Sequence, residues 1–502
     1  MGELKRIRDN IYEGTLDMDY GLIGKKWKDF GTDIITGFPT FRTHGTIPRL
    51  IRDSIFGALE NFPDKKTAII VADGTYNHNN PDRTTLDAAV KSALEVSKEL
   101  SPEERKKNLV IVTPYDGYQG DRTPGKGSAL KVIFEEMAFC DASFLILQDG
   151  DLRNDMKQWQ KVYKKLDDFH RKNHRGKEFF VTANYARHFV DASLTRFIVG
   201  PLTTLLGTYV PGGICGDIAL SRGAAEHERK ALWTERRRKY GTDICTTFDN
   251  IADKNTVIYE VYLGAKLHDI TDEAKLNVMP GEVIGAALER IFYYEKNYGT
   301  VTAIIENDRE LELPVIWGSE ETGIDFIDPG FTDIFNVDTK IDTLIRRFPE
   351  FKDYIKKIID CEYYKELEYH IEKLKIFTEE PKNELSFLNI NREKWKDILY
   401  RSVAYLFLTE DIETTTKALN YLYTGAFLEF CREKFNELGY VTLQDIRTAQ
   451  SNSGVEPDRA RDFYRNRVDM VVSDMAKDFF KGRKMIKHYE NCVFPGRTGK
   501  WT

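Results

Sequence analysis

Hydrophobic positions in the first half of the chain fall into short unbroken runs that alternate with stretches of helical spacing. Residues 33–38 (DIITGF), 67–72 (TAIIVA), 109–112 (LVIV) and 142–147 (ASFLIL) read as strands, each closed by a polar or proline-bearing segment. Between them, 48–59, 82–100 and 128–138 carry apolar residues at helical spacing, with Thr46 a candidate N-cap and Ser101-Pro102 a break. Strand and helix in strict alternation, with strands apolar throughout, predict an α/β fold on a parallel sheet. A further run, 256–262 (TVIYEVY), is also of strand type. From about residue 280 the texture becomes helical, over 283–295, 338–376, 394–410, 412–437 and 458–489. The pattern predicts an N-terminal extension over 1–32 with one helix, an α/β domain over 33–279 and an all-helical C-terminal domain over 280–502.

Composition narrows the function classes. The 502 residues carry 73 Lys+Arg against 80 Asp+Glu, a net charge of −7, which disfavours a nucleic-acid binder. Apolar residues at 41% and aromatics at 12% suit a folded chain. No run of about 18 apolar residues and no apolar segment behind MGELKRIRDN is seen, so a membrane span and a secretory leader are not expected. The six cysteines are scattered without CxxC spacing and read as reduced thiols of a cytoplasmic protein.

In parallel sheets ligands bind beyond the carboxyl ends of the strands, which singles out residues 39–42, 73–77, 114–126 and 149–151. Asp149-Gly150-Asp151 sets two carboxylates one residue apart at such an end, a hard-oxygen pair for a divalent cation, although DGD also arises as a plain turn. Thr123-Pro124-Gly125-Lys126-Gly127-Ser128 opens a helix, where backbone N–H groups and an ammonium suit a diphosphate, or form a simple glycine turn. His268 follows the 256–262 strand and gains meaning only beside Asp149 and Asp151. The run Arg236-Arg237-Arg238-Lys239 reads as a solvated helix end, or a loop that closes on a diphosphate. The aromatic stripes of the C-terminal half, Tyr400, Tyr405, Phe407, Tyr421, Tyr423, Phe427 and Phe430, read as core with a share in a subunit interface.

Taken together these stretches resemble the GT-A glycosyltransferases, and within them the retaining enzymes that make glycosylglycerates, the mannosylglycerate synthases and glucosyl-3-phosphoglycerate synthases. The resemblance spans roughly residues 33–285 and rests on PGKGSAL, QDGDLRN at the DxD position, PGGICGD with IALSR, YGTD and IYEVYLGAKLH. It implies a metal-dependent hexosyltransferase that uses Mn²⁺ or Mg²⁺, a nucleotide-sugar donor (GDP-mannose, GDP-glucose or UDP-glucose), a small acid acceptor and a homo-oligomeric state. By matched position, Asp151 and His268 would hold the metal, with Asp149 supporting it or meeting the ribose. Pro39, Thr40, Asp73, Lys126 and Gly150 would bind the donor. Arg187, Asp191, Ala192 and Thr195 would line the acceptor pocket, Arg187 forking to a carboxylate. Asp217 would bind donor-sugar hydroxyls, and Asp243 would orient the acceptor or stabilise oxocarbenium character.

Ala192-Ser193 stands where the phosphoglycerate enzymes carry Gly-Arg, which tilts the acceptor towards D-glycerate, although Arg196 could serve a phosphate. Asp269-Ile270-Thr271 departs from the basic and aromatic residues that follow the family's histidine. Competing readings are transfer to 3-phosphoglycerate and a non-catalytic nucleotide-sugar-binding protein. A sugar-phosphate nucleotidyltransferase would need GxGTRL after the first strand, where FPTFRTHG stands.

Overall fold

The computed structural model describes residues 2–115, 125–267, 273–325, 336–377, 387–442, 444–445 and 468–493. Two compact units emerge, interleaved along the chain: unit 1 is 1–185, 214–269 and 314–325, and unit 2 is 186–213, 270–313 and 326–502.

Unit 1 is built on ten strands: β1 (Leu4–Arg8), β2 (Ile11–Gly14), β3 (Ile34–Thr40), β4 (Thr67–Asp73), β5 (Asn108–Pro114), β6 (Phe144–Leu147), β7 (Glu178–Ala186), β8 (Ile218–Ser221), β9 (Thr256–Ala265) and β10 (Val315–Trp317). They form one sheet in the order β1-β2-β5-β4-β3-β6-β8-β7-β9-β10. The pairs β2/β5, β5/β4, β4/β3, β3/β6 and β9/β10 are parallel, while β1/β2, β6/β8 and β8/β7 are antiparallel. The α/β expectation therefore holds for the centre, and antiparallel strands flank it. The N-terminal residues differ from expectation: besides a helix, Gly21–Phe30, they form the β1–β2 hairpin that extends the sheet. Their signal is weak because β1 (LKRIR) is almost entirely exposed at the sheet edge. β7, β8 and β10 are also absent from the sequence-based reading.

The central strands are apolar on both faces because helices cover both. Phe38, Ile69, Val71, Val110, Val112, Phe144 and Ile146 pack with Leu50, Ile51, Ile55, Leu86, Val96, Trp159, Tyr163 and Leu166 in one core. These come from the helices Ile47–Asn61, Thr84–Glu99 and Met156–Asn173. Ser101 closes a capping box with Glu104, the physical content of the break read at Ser101-Pro102.

Unit 2 is helical. Its longer elements are Glu273–Tyr298, Val337–Ile358, Cys361–Phe377, Arg392–Thr409, Ile412–Glu437 and Met470–Lys481. Tyr400, Tyr405, Tyr421, Tyr423, Phe427 and Phe430 are buried, as the stripes suggested. Trp395 donates its indole N–H to the Phe197 carbonyl at 3.0 Å, and Phe197 meets Phe427 and Phe430 edge-on. No helix among the described residues is long and apolar enough to cross a membrane. Cys140, Cys215, Cys245 and Cys431 are buried free thiols, whereas Cys361 and Cys492 are exposed.

Candidate functional site

The parallel register aligns the strand ends, Thr40 opposite Asp73 and Asp73 opposite Pro114. Asp73 is wholly buried, and both its oxygens are used: Oδ1 accepts from the Thr40 and Thr75 hydroxyls at 3.1 and 2.8 Å, and Oδ2 from the Tyr76 N–H at 3.1 Å. Burial raises its pKa against these bonds. Asp73 thus shapes the edge by fixing the loop rather than by presenting a carboxylate.

Thr46 sits at the helix N-cap position, yet its hydroxyl donates to the Gly150 carbonyl at 2.6 Å and accepts no N–H from the first turn of its own helix. A Cβ on Gly150 would meet Thr40 Cγ2 at 2.6 Å and the Pro39 carbonyl at 3.1 Å. The glycine of the DGD turn is therefore required by the approach of β3, which brings Pro39, Thr40 and Gly150 together.

Beyond this turn five charged side chains alternate in sign. Lys126 Nζ lies 2.9 Å from Asp243 Oδ2 and 2.7 Å from Asp149 Oδ1. Lys266 Nζ lies 2.9 Å from Asp149 Oδ2 and 3.4 Å from Asp217 Oδ2, and only 11% of its side chain is exposed. Asp217 is fully buried; its Oδ1 accepts the Asp149 N–H at 3.0 Å and its Oδ2 the Tyr185 hydroxyl at 2.7 Å. Burial opposes the charge on Lys126, but Asp149 and Asp243 raise its pKa well above that of an ordinary lysine. Burial likewise opposes the charge on Asp149, and Lys126 and Lys266 hold its carboxyl far below the usual range. Asp243 moves the other way, raised by burial and by neighbouring Asp149 against the pull of Lys126. Burial and Asp217 push the Cys215 thiol up to about 12, so it stays protonated beside the cluster. Gly216 backs onto this array, where any Cβ would overlap Lys126 Nζ and Asp149 Oδ1.

Asp149 places one oxygen on the Lys126 ammonium and the other on that of Lys266. Asp217 is fully buried and holds the Asp149 N–H and Lys266. Lys266, Tyr185 and Gly216 were not assigned from sequence. Lys266 alone left a signal, a charged residue one place beyond an apolar ten-residue strand.

For the metal, Asp151 is half-buried after β6, and His268 lies outside the described residues. Leu267 donates its N–H to Asn154 Oδ1 at 3.0 Å and accepts the Arg153 N–H at 2.7 Å. Asn154 also donates to the Ala265 carbonyl at 2.8 Å. The end of β9 is thus fastened to the segment that follows Asp151. Among the described residues no three His, Cys, Asp or Glu side chains form a metal-holding group.

The basic run 236–239 ends the short helix Glu235–Arg238, with Arg236, Arg238 and Lys239 half-buried, and departs from the solvated-end reading at Arg237. Arg237 is 0% exposed, ion-paired to Asp249 at 2.5 Å and to Glu228, with its guanidinium 4.4 Å over the Trp233 ring.

In unit 2, Arg187 pairs with Asp191 at 3.0 Å. Arg196 is buried and donates to four carbonyls, those of His188, Phe189 and Asp191 from Nη1 and that of Arg187 from Nη2. Ala192 holds a left-handed φ of 55°, and its N–H donates to Asp191 Oδ1 at 2.6 Å. Thr195 opens the turn Thr195–Val199. Burial, then Arg196, pushes the His188 imidazole down to about 3.

No family model and no curated protein matches the chain. Among solved structures it is similar to glucosyl-3-phosphoglycerate synthase from Mycobacterium tuberculosis in complex with Mn²⁺, uridine diphosphate and phosphoglyceric acid. That match has 20% identity over 53% of this chain and 82% of the other, with a TM-score of 0.36. It is also similar to mannosyl-3-phosphoglycerate synthase from Rubrobacter xylanophilus, at 17% identity over 54% and 80%, with a TM-score of 0.37.

Proposed function

We propose that the chain is a metal-dependent glycosyltransferase that moves a hexose from a nucleoside-diphosphate sugar to a small hydroxy acid. The observation that carries this reading is the pair of buried lysines, Lys126 and Lys266, held on Asp149 at the carboxyl edge of the sheet. Two fixed ammoniums in a site shielded from water suit a diphosphate leaving group, whose negative charge grows as the glycosidic bond breaks. Asp151 and His268 would hold Mn²⁺ or Mg²⁺, which supplies further charge stabilisation to the same leaving group. Asp243, held on the Lys126 ammonium, would orient a hydroxyl or stabilise positive charge at the sugar carbon. Pro39, Thr40 and Gly150 would shape the nucleoside pocket.

Arg187 would bind the acceptor carboxylate, with Asp191 holding its guanidinium in place until the acid arrives. Arg196 spends its donors on four carbonyls, which favours D-glycerate over 3-phosphoglycerate because the phosphate loses its expected partner.

The test is a panel of GDP-mannose, GDP-glucose and UDP-glucose against D-glycerate and 3-phosphoglycerate, with and without Mn²⁺ or Mg²⁺. Metal-dependent product from at least one pair is expected, and turnover should vanish in folded Asp151→Ala and His268→Ala variants. No product from any pair would sink the reading. Product from 3-phosphoglycerate alone would overturn the choice of acceptor.

A further inference from the structure

Lys126 and Asp243 come from separate segments, and one buried residue, Arg237, meets both, the first through its backbone and the second through its guanidinium. Gly125 and Gly127, on either side of Lys126, lie against the backbone of residues 237–239; a Cβ on Gly127 would overlap the Arg237 carbonyl oxygen, and one on Gly125 that of Arg238. The Gly127 N–H donates to the Lys239 carbonyl at 3.3 Å. The N-terminus of the helix Lys126–Met137, which aims Lys126, therefore rests on the turn that carries Arg237. Asp243 lies in the first turn of the helix Thr242–Ala252, and Asp249 of the same helix takes Arg237 Nη1 at 2.5 Å. Nη2 of Arg237 is bound by Glu228, whose other oxygen accepts from Asn250 at 2.8 Å, also on the Asp243 helix.

We infer that Arg237 is a positioning residue that sets the Lys126–Asp243 pair, and through it the grip on a diphosphate. The inference rests on the proposed role of Lys126. The forked guanidinium bridges two carboxylates on two helices while the Arg237 backbone supports the helix start at Gly125–Gly127. A lysine keeps the charge but cannot span both carboxylates, so Arg237→Lys loosens the register without emptying the site.

The experiment is a double-mutant cycle read by calorimetric titration with UDP and with GDP in the presence of Mn²⁺. It compares the native chain, Lys126→Met, Arg237→Lys and the double variant, each shown folded by circular dichroism and thermal melting. Arg237→Lys is expected to weaken nucleoside-diphosphate binding on the order of 10-fold. The double variant should bind no worse than Lys126→Met alone, because a residue that acts through Lys126 has nothing left to act on. Additive losses, or native-like binding in Arg237→Lys, overturn the inference. Failure of the native chain to bind either nucleotide sinks the diphosphate reading instead. Should Arg237→Lys misfold, Asp249→Asn is the second arm: it removes one charge from the Arg237 fork and leaves Lys126 and its glycines unchanged. It should show the same non-additive loss with Lys126→Met, and additivity there also overturns the inference.

Discussion

Single residues at the strand ends are constrained by charge and by space. Gly216 has no room for a side chain, so Gly216→Ala is expected to cost about 1–3 kcal/mol by overpacking and to disturb the Lys126–Asp149 pair; chemical denaturation and a donor-binding titration would show both. Asp149→Asn leaves two buried ammoniums short of a partner, and at pH 7 the expected cost is about 3–5 kcal/mol. The sign of its pH dependence follows from a folded pKa held below the unfolded value. The stabilisation is present above about pH 4 and fades as the pH falls further, so the gap between native and variant should narrow in acid. Equal gaps at pH 7 and pH 3 in urea denaturation would contradict this. Much of the cluster was legible as residues: Lys126, Asp149, Asp217 and Asp243 stand in stretches whose composition marks them. Their partners were not. Nothing in the sequence around Asp149 announces Lys266, which arrives from more than a hundred residues away.

The longer apolar runs were the readable elements, whereas β8, buried throughout but only four residues long, was not. β3 to β6 and β9 lie where their runs predict, because strands covered on both faces admit few polar residues. β1 and β10 escaped notice because a short edge strand with one exposed side has no such run. The helix Ile47–Asn61 was readable, but its capping was not: Thr46 serves the DGD turn instead of the helix. Thr46→Ala is therefore expected to cost about 1–3 kcal/mol, by stranding a buried carbonyl, and to lower donor affinity; a loss of stability alone would argue against the link. In the 186–196 segment, His188 has a folded pKa of about 3 against an ordinary value of about 6.5. The unfolded chain takes up the proton first, so stability should fall as pH drops from about 6.5 towards 3. His188→Asn should flatten that slope in thermal melts, and an unchanged slope would contradict the assignment.

At the scale of the molecule, the helical unit is not a C-terminal appendage that can be cut away. It includes residues 186–213, and Phe189 and Phe197 in that segment pack on Phe435, Trp395, Phe427 and Phe430 of the same unit. A chain ended at residue 279 is expected to bind a hydrophobic dye and to elute as aggregates in size-exclusion chromatography, whereas a monodisperse, dye-silent product would show that the segment finds other cover. The interleaving also sets an order of events during synthesis. Unit 1 is complete once residue 325 has been made, while 177 residues of unit 2, 326–502, are still to come. At about 5–20 residues per second that interval lasts roughly 10–35 s. Throughout it the 186–213 segment, already outside the ribosome, waits with its aromatic face uncovered, so the yield of folded protein depends on how fast translation runs relative to aggregation.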